Sequence, residues 1–436
     1  SSIAGQRSSP PTLTARGGGA DGLSLGWPDD DDVLASRAPS LPAAKVRAGG
    51  GGLPVTFDVM GLAQSMVDMT VDAEVDDAML RRLGLAKGGR RVLSSAEERS
   101  EVLALLAEEE LPTELTPGGS LANTLVGIAR LSAAYDAKAR LSVGLSGAVG
   151  NDLLGEYFSG ALADAGVTVL PDGGGAPATG TVLVLPSGDG QRSFLCHFPA
   201  THGPPSCAAA RARVAGSRML VVEGYLWDEP GAEASLPALI GAAADGGAMV
   251  VLTGGDPGVV ARHRGAILNA LDHCSQRGAE VALFANHDEA SALLGEAHEL
   301  GASGGAVRLA AALGALCSVA VVTDGGAGSH VVVRGLLSSL PPAALPGAVV
   351  DTCGAGDAYA AGFCFALLNG IDAPGAGAFG AAVAARVISR HGAQLTEAEV
   401  LELVAMLPAS CALLPPIASI VGACGAAAAH AARMRA

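Results

Sequence analysis

The residues best suited to chemistry lie in one glycine-rich run, Asp351-Thr-Cys-Gly-Ala-Gly-Asp357. Gly354 and Gly356 carry no Cβ, so the backbone can turn tightly there and approach a ligand closely. The amides of Gly354, Ala355 and Gly356 are expected at a helix start, where unpaired N–H groups and the helix dipole attract a phosphate. A carboxylate is repelled by phosphate, so Asp357 makes sense there if it takes a proton from an attacking hydroxyl. The run therefore predicts phosphoryl transfer, and a merely structural capped turn is the alternative.

Apolar segments on both sides must position this run. Residues 346–350 predict the end of a strand, and residues 358–368 predict a helix that Gly370 stops. From Val55 onward, short apolar runs alternate with helix-length segments such as 120–132, 153–165, 257–274 and 304–316. This alternation predicts a mostly parallel sheet covered by helices, with ligands beyond the carboxyl ends of its strands.

Composition limits the classes of protein that the chain can belong to. Its 436 residues suffice for one large α/β domain with a small accessory domain. The net charge of −16 argues against a nucleic-acid groove, which needs a basic face. An anionic nucleotide would therefore need a locally built site of backbone amides, a few basic side chains and metal. The cysteines form no C-x-x-C pair or zinc spacing, which indicates reduced thiols of an intracellular protein, in the cytosol or an organelle.

The chain divides into three regions by composition. Residues 1–52 are rich in Ser, Pro, Gly and Ala and predict disorder; they resemble a transit segment, and a tail without targeting value is the alternative. Residues 53–403 form the predicted catalytic domain. Residues 404–436 form an apolar, low-complexity tail in which prolines argue against a membrane helix.

Four more elements carry polar residues at points where a strand or turn ends. Residues 57–68 predict a strand that runs into a loop presenting Asp68, whose carboxylate suits a vicinal diol because it can accept from two adjacent hydroxyls. The other three are the glycine turn Pro117-Gly-Gly-Ser-Leu-Ala-Asn123 before a helix, the strand end Asn286-His-Asp-Glu289, and a hairpin over 181–193 with Arg192 near the start of its second strand.

Together these elements resemble the ribokinase-like (PfkB) carbohydrate kinase family and, within it, the adenosine-kinase-like branch. The runs Gly147-Ala-Val-Gly-Asn-Asp-Leu-Leu-Gly155 and Glu223-Gly-Tyr-Leu-Trp-Asp228 add to the resemblance, which covers about residues 55–395. It implies an α/β fold, a three-layer α/β/α kinase domain with a mostly parallel central sheet and a small β lid. The lid is expected from parts of about 64–117 and 178–200.

The resemblance also implies a role for each motif residue. Asp357 is expected to be the catalytic base, with an anion hole formed by the amides of Gly354, Ala355 and Gly356. The expected substrate-binding residues are Asp68, Gly118, Gly119 and Asn123. The residues expected near ATP, Mg2+ and phosphate are Asn286, Glu289, Thr352 and Arg192, with Glu289 reaching the metal through water. For Asn286 and Glu289 a capping box is the alternative, and for Arg192 an exposed position on the hairpin.

The leading expectation is an ATP- and Mg2+-dependent kinase that phosphorylates the primary hydroxyl of a ribose-containing nucleoside, converting adenosine to AMP. A kinase of a free sugar, of the ribose or fructose type, is an alternative that the aromatic content of 3% favours. A catalytically silent, kinase-shaped organellar scaffold is another. The expected partners are a small-molecule substrate and ATP, without nucleic acid or membrane, for a monomer or homodimer.

Overall fold

The structure, a computed structural model, describes residues 56–136, 140–171, 178–189, 191–199, 208–295 and 305–407. The predictions for residues 1–52 and for the tail beyond residue 407 lie outside these residues. The strands are β1 (Val59–Leu62), β2 (Met66–Val71), β3 (Arg90–Val92), β4 (Thr113–Gly118), β5 (Val143–Gly147), β6 (Val167–Pro171), β7 (Gly180–Pro186), β8 (Arg192–His197), β9 (Met219–Val222), β10 (Met249–Thr253), β11 (Val281–Asn286), β12 (Val319–Thr323), β13 (Ser329–Val333) and β14 (Leu336–Leu340). The helices are α1 (Asp77–Arg82), α2 (Ala96–Glu108), α3 (Ser120–Tyr135), α4 (Leu153–Asp164), α5 (Ala208–Ala215), α6 (Ala232–Asp245), α7 (Pro257–Arg262), α8 (Arg264–Gln276), α9 (His287–Leu294), α10 (Gly305–Leu313), α11 (Ala355–Leu368), α12 (Ala373–Val387) and α13 (Glu397–Val404).

A large, mostly parallel sheet forms the middle of the fold. Nine of the described strands pair in the order β14-β13-β12-β11-β10-β9-β1-β5-β6. Every pair from β12 to β6 is parallel, whereas β12–β13 and β13–β14 at one edge are antiparallel. Parallel neighbours need crossover connections, and the helices between the strands supply them. The predicted mostly parallel sheet is confirmed.

Helices cover both faces of this sheet, so its strands are apolar along most of their length. On one face, Leu283 of β11 belongs to an apolar cluster that also holds Leu239 of α6 and Leu271 of α8. On the other face, Phe284 packs edge-on against Phe363 of α11, with ring centroids 5.1 Å apart. Successive side chains of a strand point to opposite faces. The sheet is therefore the middle of three layers, as predicted.

Helix α11 lies in the second helical layer, where it packs against α3 and α12. Its residues from Ala358 to Leu368 are all buried, which explains why this helix is apolar all round. It starts directly after Gly354, whose φ of +77° lies in the left-handed region that glycine tolerates best. Gly370 follows its end with a φ of +85°. The predicted helix and its stop signal are confirmed.

A smaller sheet accompanies the large one. Among the described strands its order is β3-β8-β7-β2-β4. Val71 and Leu195 lie on one face, in an apolar cluster with α1 and α2. The alternate positions Asp68 and Phe194 lie on the opposite face, which lines a cavity. Strands β7 and β8 pair antiparallel with Arg192 at the start of β8, which confirms the predicted hairpin.

Three local predictions are wrong. Residues 346–350 form no strand, because within the described chain they pair with none and Val350 is 45% exposed. Asp68 lies inside β2 instead of a loop, because β2 is held on both sides by β4 and β7. The single helix expected over 257–274 is two helices, since the backbone leaves the helical conformation at His263, with φ −107° and ψ 17°.

None of the helices in the described part of the chain is long and apolar enough to cross a bilayer. The cysteines in that part are free thiols: Cys196, Cys274, Cys317, Cys353 and Cys364.

Candidate active site

A cavity of about 890 Å³ lies between the small sheet and the ends of the large-sheet strands. Most of the predicted site residues line it: Asp68, Gly119, Asn123, Arg192, Asn286, Glu289, Thr352, Gly354, Ala355, Gly356 and Asp357. Of the predicted residues, only Gly118 is outside this lining, and all of them belong to the described part of the chain. The structure therefore brings together side chains from both sheets and from the starts of α3, α9 and α11.

Asp357 is held by helix α3. The Ser120 hydroxyl donates to its Oδ1 at 2.6 Å, and Asn123 Nδ2 donates to its Oδ2 at 3.3 Å. The Thr124 hydroxyl donates to the Asp357 carbonyl at 3.3 Å, which fixes the backbone as well. Burial raises the pKa of Asp357 to about 6, while the two side-chain hydrogen bonds lower it. A carboxylate with this pKa is ionised at neutral pH and basic enough to accept a proton.

Asp68 enters the cavity from β2. Its pKa is raised to about 7, chiefly by burial and also by the charge of Asp357, while the charge of Arg192 lowers it. Two carboxylates in one cavity are unfavourable without a ligand, because each disfavours the ionised form of the other. A substrate hydroxyl that donates to either oxygen would relieve this repulsion.

The two glycines before α3 have different tasks. Gly119 caps the helix with a φ of +98° and lines the cavity. Gly118 ends β4, and a Cβ on it would lie 2.2 Å from Asp68 Oδ1. Gly118 thus makes room for the Asp68 carboxylate and lies outside the cavity wall, so any effect of Gly118 on a ligand would act through Asp68.

The start of α11 offers main-chain donors. The Ala355 N–H donates to Thr352 O at 3.2 Å, so this amide of the predicted anion hole is already used in the turn. The amides of Gly354 and Gly356 have no acceptor among the described residues, as expected for the first turn of a helix. A Cβ on Gly354 would lie 2.5 Å from Ala393 Cβ, so that position must be glycine. Two of the three predicted amides are free to bind an anion.

Asn286 and Glu289 form a capping box at the start of α9. Asn286 Oδ1 accepts from Glu289 N, and Glu289 Oε2 accepts from Asn286 N, both at 2.9 Å. The capping box, which was the alternative for these two residues, is therefore present, although both residues also line the cavity. Burial raises the pKa of Glu289 to about 7, an N–H bond from Asn286 lowers it, and the charge of Asp256 raises it again.

Asn286 and Glu289 fit a magnesium ion that a nucleotide carries. Within the described residues, no group of three or more His, Cys, Asp or Glu side chains could hold a metal by itself. Mg2+ in phosphate-transfer sites is typically bound by one or two carboxylates, by water and by the phosphates of the substrate. Asn286 and Glu289 match that need, because a cation nearby would offset the cost of ionising a buried carboxylate.

Arg192 pairs with the run that precedes α11. Its Nη2 lies 2.8 Å from Asp351 Oδ2, an ion pair between the small sheet and the glycine-rich run. Oδ2 of Asp351 is buried and accepts no hydrogen bond of good geometry from the described residues, so the attraction is mainly ionic. Arg192 is thus a cavity residue, but its charge is already balanced.

Several site residues were not predicted. Ser120 and Thr124 hold Asp357. They lie one and five residues after Gly119, so their closeness to the predicted glycine turn could have marked them as site residues. Glu223, fully buried at the end of β9, accepts from Gln64 N at 2.8 Å and from Leu121 N at 3.4 Å. Burial raises its pKa to about 7, the two N–H groups lower it, and the charge of Asp357 raises it. Its place in a strand-end motif was visible in the sequence, but its contacts were not.

The three-layer fold and this cavity define a small-molecule kinase of the ribokinase-like fold class. Residues 104–399 match the pfkB family carbohydrate kinase. The chain belongs to this family, and it is therefore a kinase. Membership implies the use of ATP, typically together with a divalent metal.

Solved structures extend the comparison beyond the family. Adenosine kinase from Sinorhizobium meliloti is 28% identical, covers 81% of this chain and 99% of its own, and superposes with a TM-score of 0.66. A probable sugar kinase from Rhizobium etli CFN 42 is 26% identical, with 80% and 98% covered and the same TM-score of 0.66. Adenosine kinase from Anopheles gambiae is 21% identical, with 78% and 97% covered and a TM-score of 0.61, and shows the fold alone.

A curated relative matches over a short stretch. The 5-dehydro-2-deoxygluconokinase of Geobacillus thermodenitrificans (strain NG80-2) is 54% identical over 46 residues. That stretch is 11% of this chain and only 14% of the relative. This short match agrees with the family assignment, but it carries no information on the substrate of this chain.

Proposed function

We propose that the protein transfers the γ-phosphoryl group of ATP to the primary hydroxyl of adenosine, producing AMP and ADP. The observation that carries the reaction is the half-buried Asp357, which Ser120 and Asn123 orient at the start of α11. In this position its carboxylate can take the proton of the attacking hydroxyl. The hydroxyl oxygen then bonds to phosphorus as the bond between that phosphorus and ADP breaks.

The main-chain donors support the same reaction. The Gly354 and Gly356 amides can stabilise the charge on the transferring phosphoryl group, without having to reorganise during the reaction. Mg2+, held through Asn286 and Glu289 by way of water, would neutralise the phosphate chain when it is bound. We further propose that the small sheet is a lid that excludes water from the reaction.

A ribose ring fits the polar side of the cavity. Asp68 can accept from two adjacent hydroxyls, and Asn123 offers both a donor and an acceptor. Phe194 of β8 and Phe198, which follows β8, also line the cavity. Despite the low aromatic content of the chain, these rings supply an apolar surface on which a purine can stack. The similarity to an adenosine kinase over 81% of the chain favours the same substrate.

A free sugar is the second candidate, because a probable sugar kinase superposes equally well. Phosphate transfer from labelled ATP should be measured with adenosine, other nucleosides, ribose and fructose. We expect adenosine to be phosphorylated with the highest kcat/KM. Faster transfer to a free sugar would replace adenosine by that sugar, and no transfer to any acceptor by a folded protein would contradict the proposal.

A further inference from the structure

The cavity carries more acidic than basic side chains. Its carboxylates are Asp68, Glu114, Glu223, Asp256, Glu289 and Asp357. Its arginines are Arg90, Arg192 and Arg390. A nucleotide brings several negative charges into this space, and like charges at short range are strongly unfavourable where water is excluded. A free cationic side chain in the cavity would therefore offer its phosphates a favourable contact in addition to the Gly354 and Gly356 amides.

Two of these arginines are already paired. Arg192 faces Asp351 at 2.8 Å, and Arg390 Nε lies 3.2 Å from Glu399. Arg90 forms no ion pair with any residue in the described ranges. It is thus the lining arginine whose charge is not committed to a carboxylate.

Other contacts fix the position of Arg90. Its Nε donates to Cys196 Sγ at 3.4 Å. Its guanidinium carbon lies 5.3 Å from the ring centroid of Tyr225 and 5.8 Å from that of Phe198, distances at which cation–π attraction operates. These contacts use Nε and the faces of the guanidinium. Within the described structure, its two terminal nitrogens have no acceptor.

The position of Arg90 depends on both parts of the fold. Cys196 and Phe198 belong to β8 and the residues after it, in the small sheet, whereas Tyr225 follows β9 of the large sheet. The next residue, Arg91, differs: it pairs with Glu98 of α2 and lies outside the cavity lining. Adjacent residues of a strand face opposite sides, so β3 presents one arginine to the cavity and one to the helices.

We propose that Arg90 is an anion-binding residue for a phosphate group of the nucleotide in this cavity. A guanidinium presents a planar set of donors that matches phosphate oxygens, and one held in advance by two rings loses little freedom on binding. The assignment rests on the proposed kinase function. The phosphate could belong to ATP or to the AMP product, and the chemistry of recognition is the same.

The test is isothermal titration calorimetry of the full chain with ADP, AMP and adenosine. Arg90→Met removes the charge and keeps an unbranched apolar side chain, and Arg91→Met is the matched control. We expect Arg90→Met to weaken binding of ADP, AMP or both by about tenfold or more. Binding of uncharged adenosine should change less than about twofold, and Arg91→Met should bind all three as the wild type does.

The outcomes separate the possibilities. Weaker ADP binding assigns the contact to the ATP phosphates, and weaker AMP binding alone assigns it to the product phosphate. Arg90→Lys should recover part of the loss, because it restores charge without the planar donors. The inference is overturned if Arg90→Met binds ADP and AMP as tightly as Arg91→Met, if adenosine binding falls equally, or if the wild type binds neither phosphate ligand. ADP binding without any adenosine binding or phosphorylation would instead contradict the proposed function alone.

Discussion

Replacing Gly118 by alanine tests how the cavity positions the Asp68 carboxylate, the group proposed to bind a diol. An added Cβ would lie 2.2 Å from Asp68 Oδ1, 2.4 Å from Cγ and 2.7 Å from Oδ2. No carbon approaches a carboxylate so closely, so the Asp68 side chain must rotate away. Gly118 ends an ordinary strand and has no left-handed φ, so alanine itself introduces no backbone strain. The perturbation is confined to the position of one carboxylate.

The size of the effect follows from the hydrogen bonds at stake. A hydrogen bond to a charged group contributes about 1.5–3 kcal/mol, and each 1.4 kcal/mol is about tenfold in affinity. Loss of one such bond between Asp68 and a ribose hydroxyl should raise KM for adenosine about 10–150-fold. The turnover number should fall less, because Asp357 and its partners are untouched.

Steady-state kinetics with adenosine, in wild-type and Asp68→Ala backgrounds, isolate this effect. Gly118→Ala should raise KM in the wild type and have almost no effect once the carboxylate is gone, since the clash no longer exists. Gly265→Ala is the control, because a Cβ at that helical position meets nothing within 4 Å. An equal penalty in both backgrounds, or none in the wild type, would refute the reasoning.

Three further predictions concern Asp357 and Glu223, two carboxylates whose pKa burial raises. Because Asp357 must be ionised to accept a proton and its pKa is raised to about 6, kcat/KM should fall as the pH drops below about 6. Ser120→Ala should shift that fall to higher pH, since the Ser120 hydroxyl lowers this pKa; an unchanged profile would exclude the contact. Glu223, with a folded pKa of about 7 against its ordinary 4.5, stabilises the fold when protonated, and that contribution is lost as the pH rises from about 4.5 to 7. Thermal melting of Glu223→Gln should therefore lack a loss of about 2 kcal/mol between pH 5 and 7, and equal pH dependence in both proteins would contradict this.

The main-chain part of the site was predictable because its signals are local. The glycine run, the apolar helix after it and the Gly370 stop depend on residues close in sequence. The β7–β8 hairpin could be predicted for the same reason. The strand expected over 346–350 failed because apolar residues alone do not make a strand, which also needs a partner to pair with.

The side-chain part depended on contacts between distant residues. Ser120 and Asp357 are separated by 237 positions, and Gln64 and Glu223 by 159. The hydrophobic periodicity of the sequence does not indicate such distant pairs. Asp68 was predicted to lie in a loop, because it is a charged residue at the end of an apolar run. The side chains of its strand point alternately to a cavity and to an apolar cluster, a pattern that only the pairing with β4 and β7 explains. Likewise, the proposed role of Arg90 depends on the carboxylate partners of the other arginines, which the sequence does not show.

The most direct test of the central claim is the single-turnover rate of phosphate transfer by Asp357→Asn. Asparagine keeps the size of the side chain and removes its ability to take a proton. If Asp357 is the base, the rate should fall about 10²–10⁴-fold, while adenosine binding and the melting curve show an intact fold. A rate close to that of the wild type would contradict the assignment of Asp357 and, with it, the mechanism proposed for this cavity.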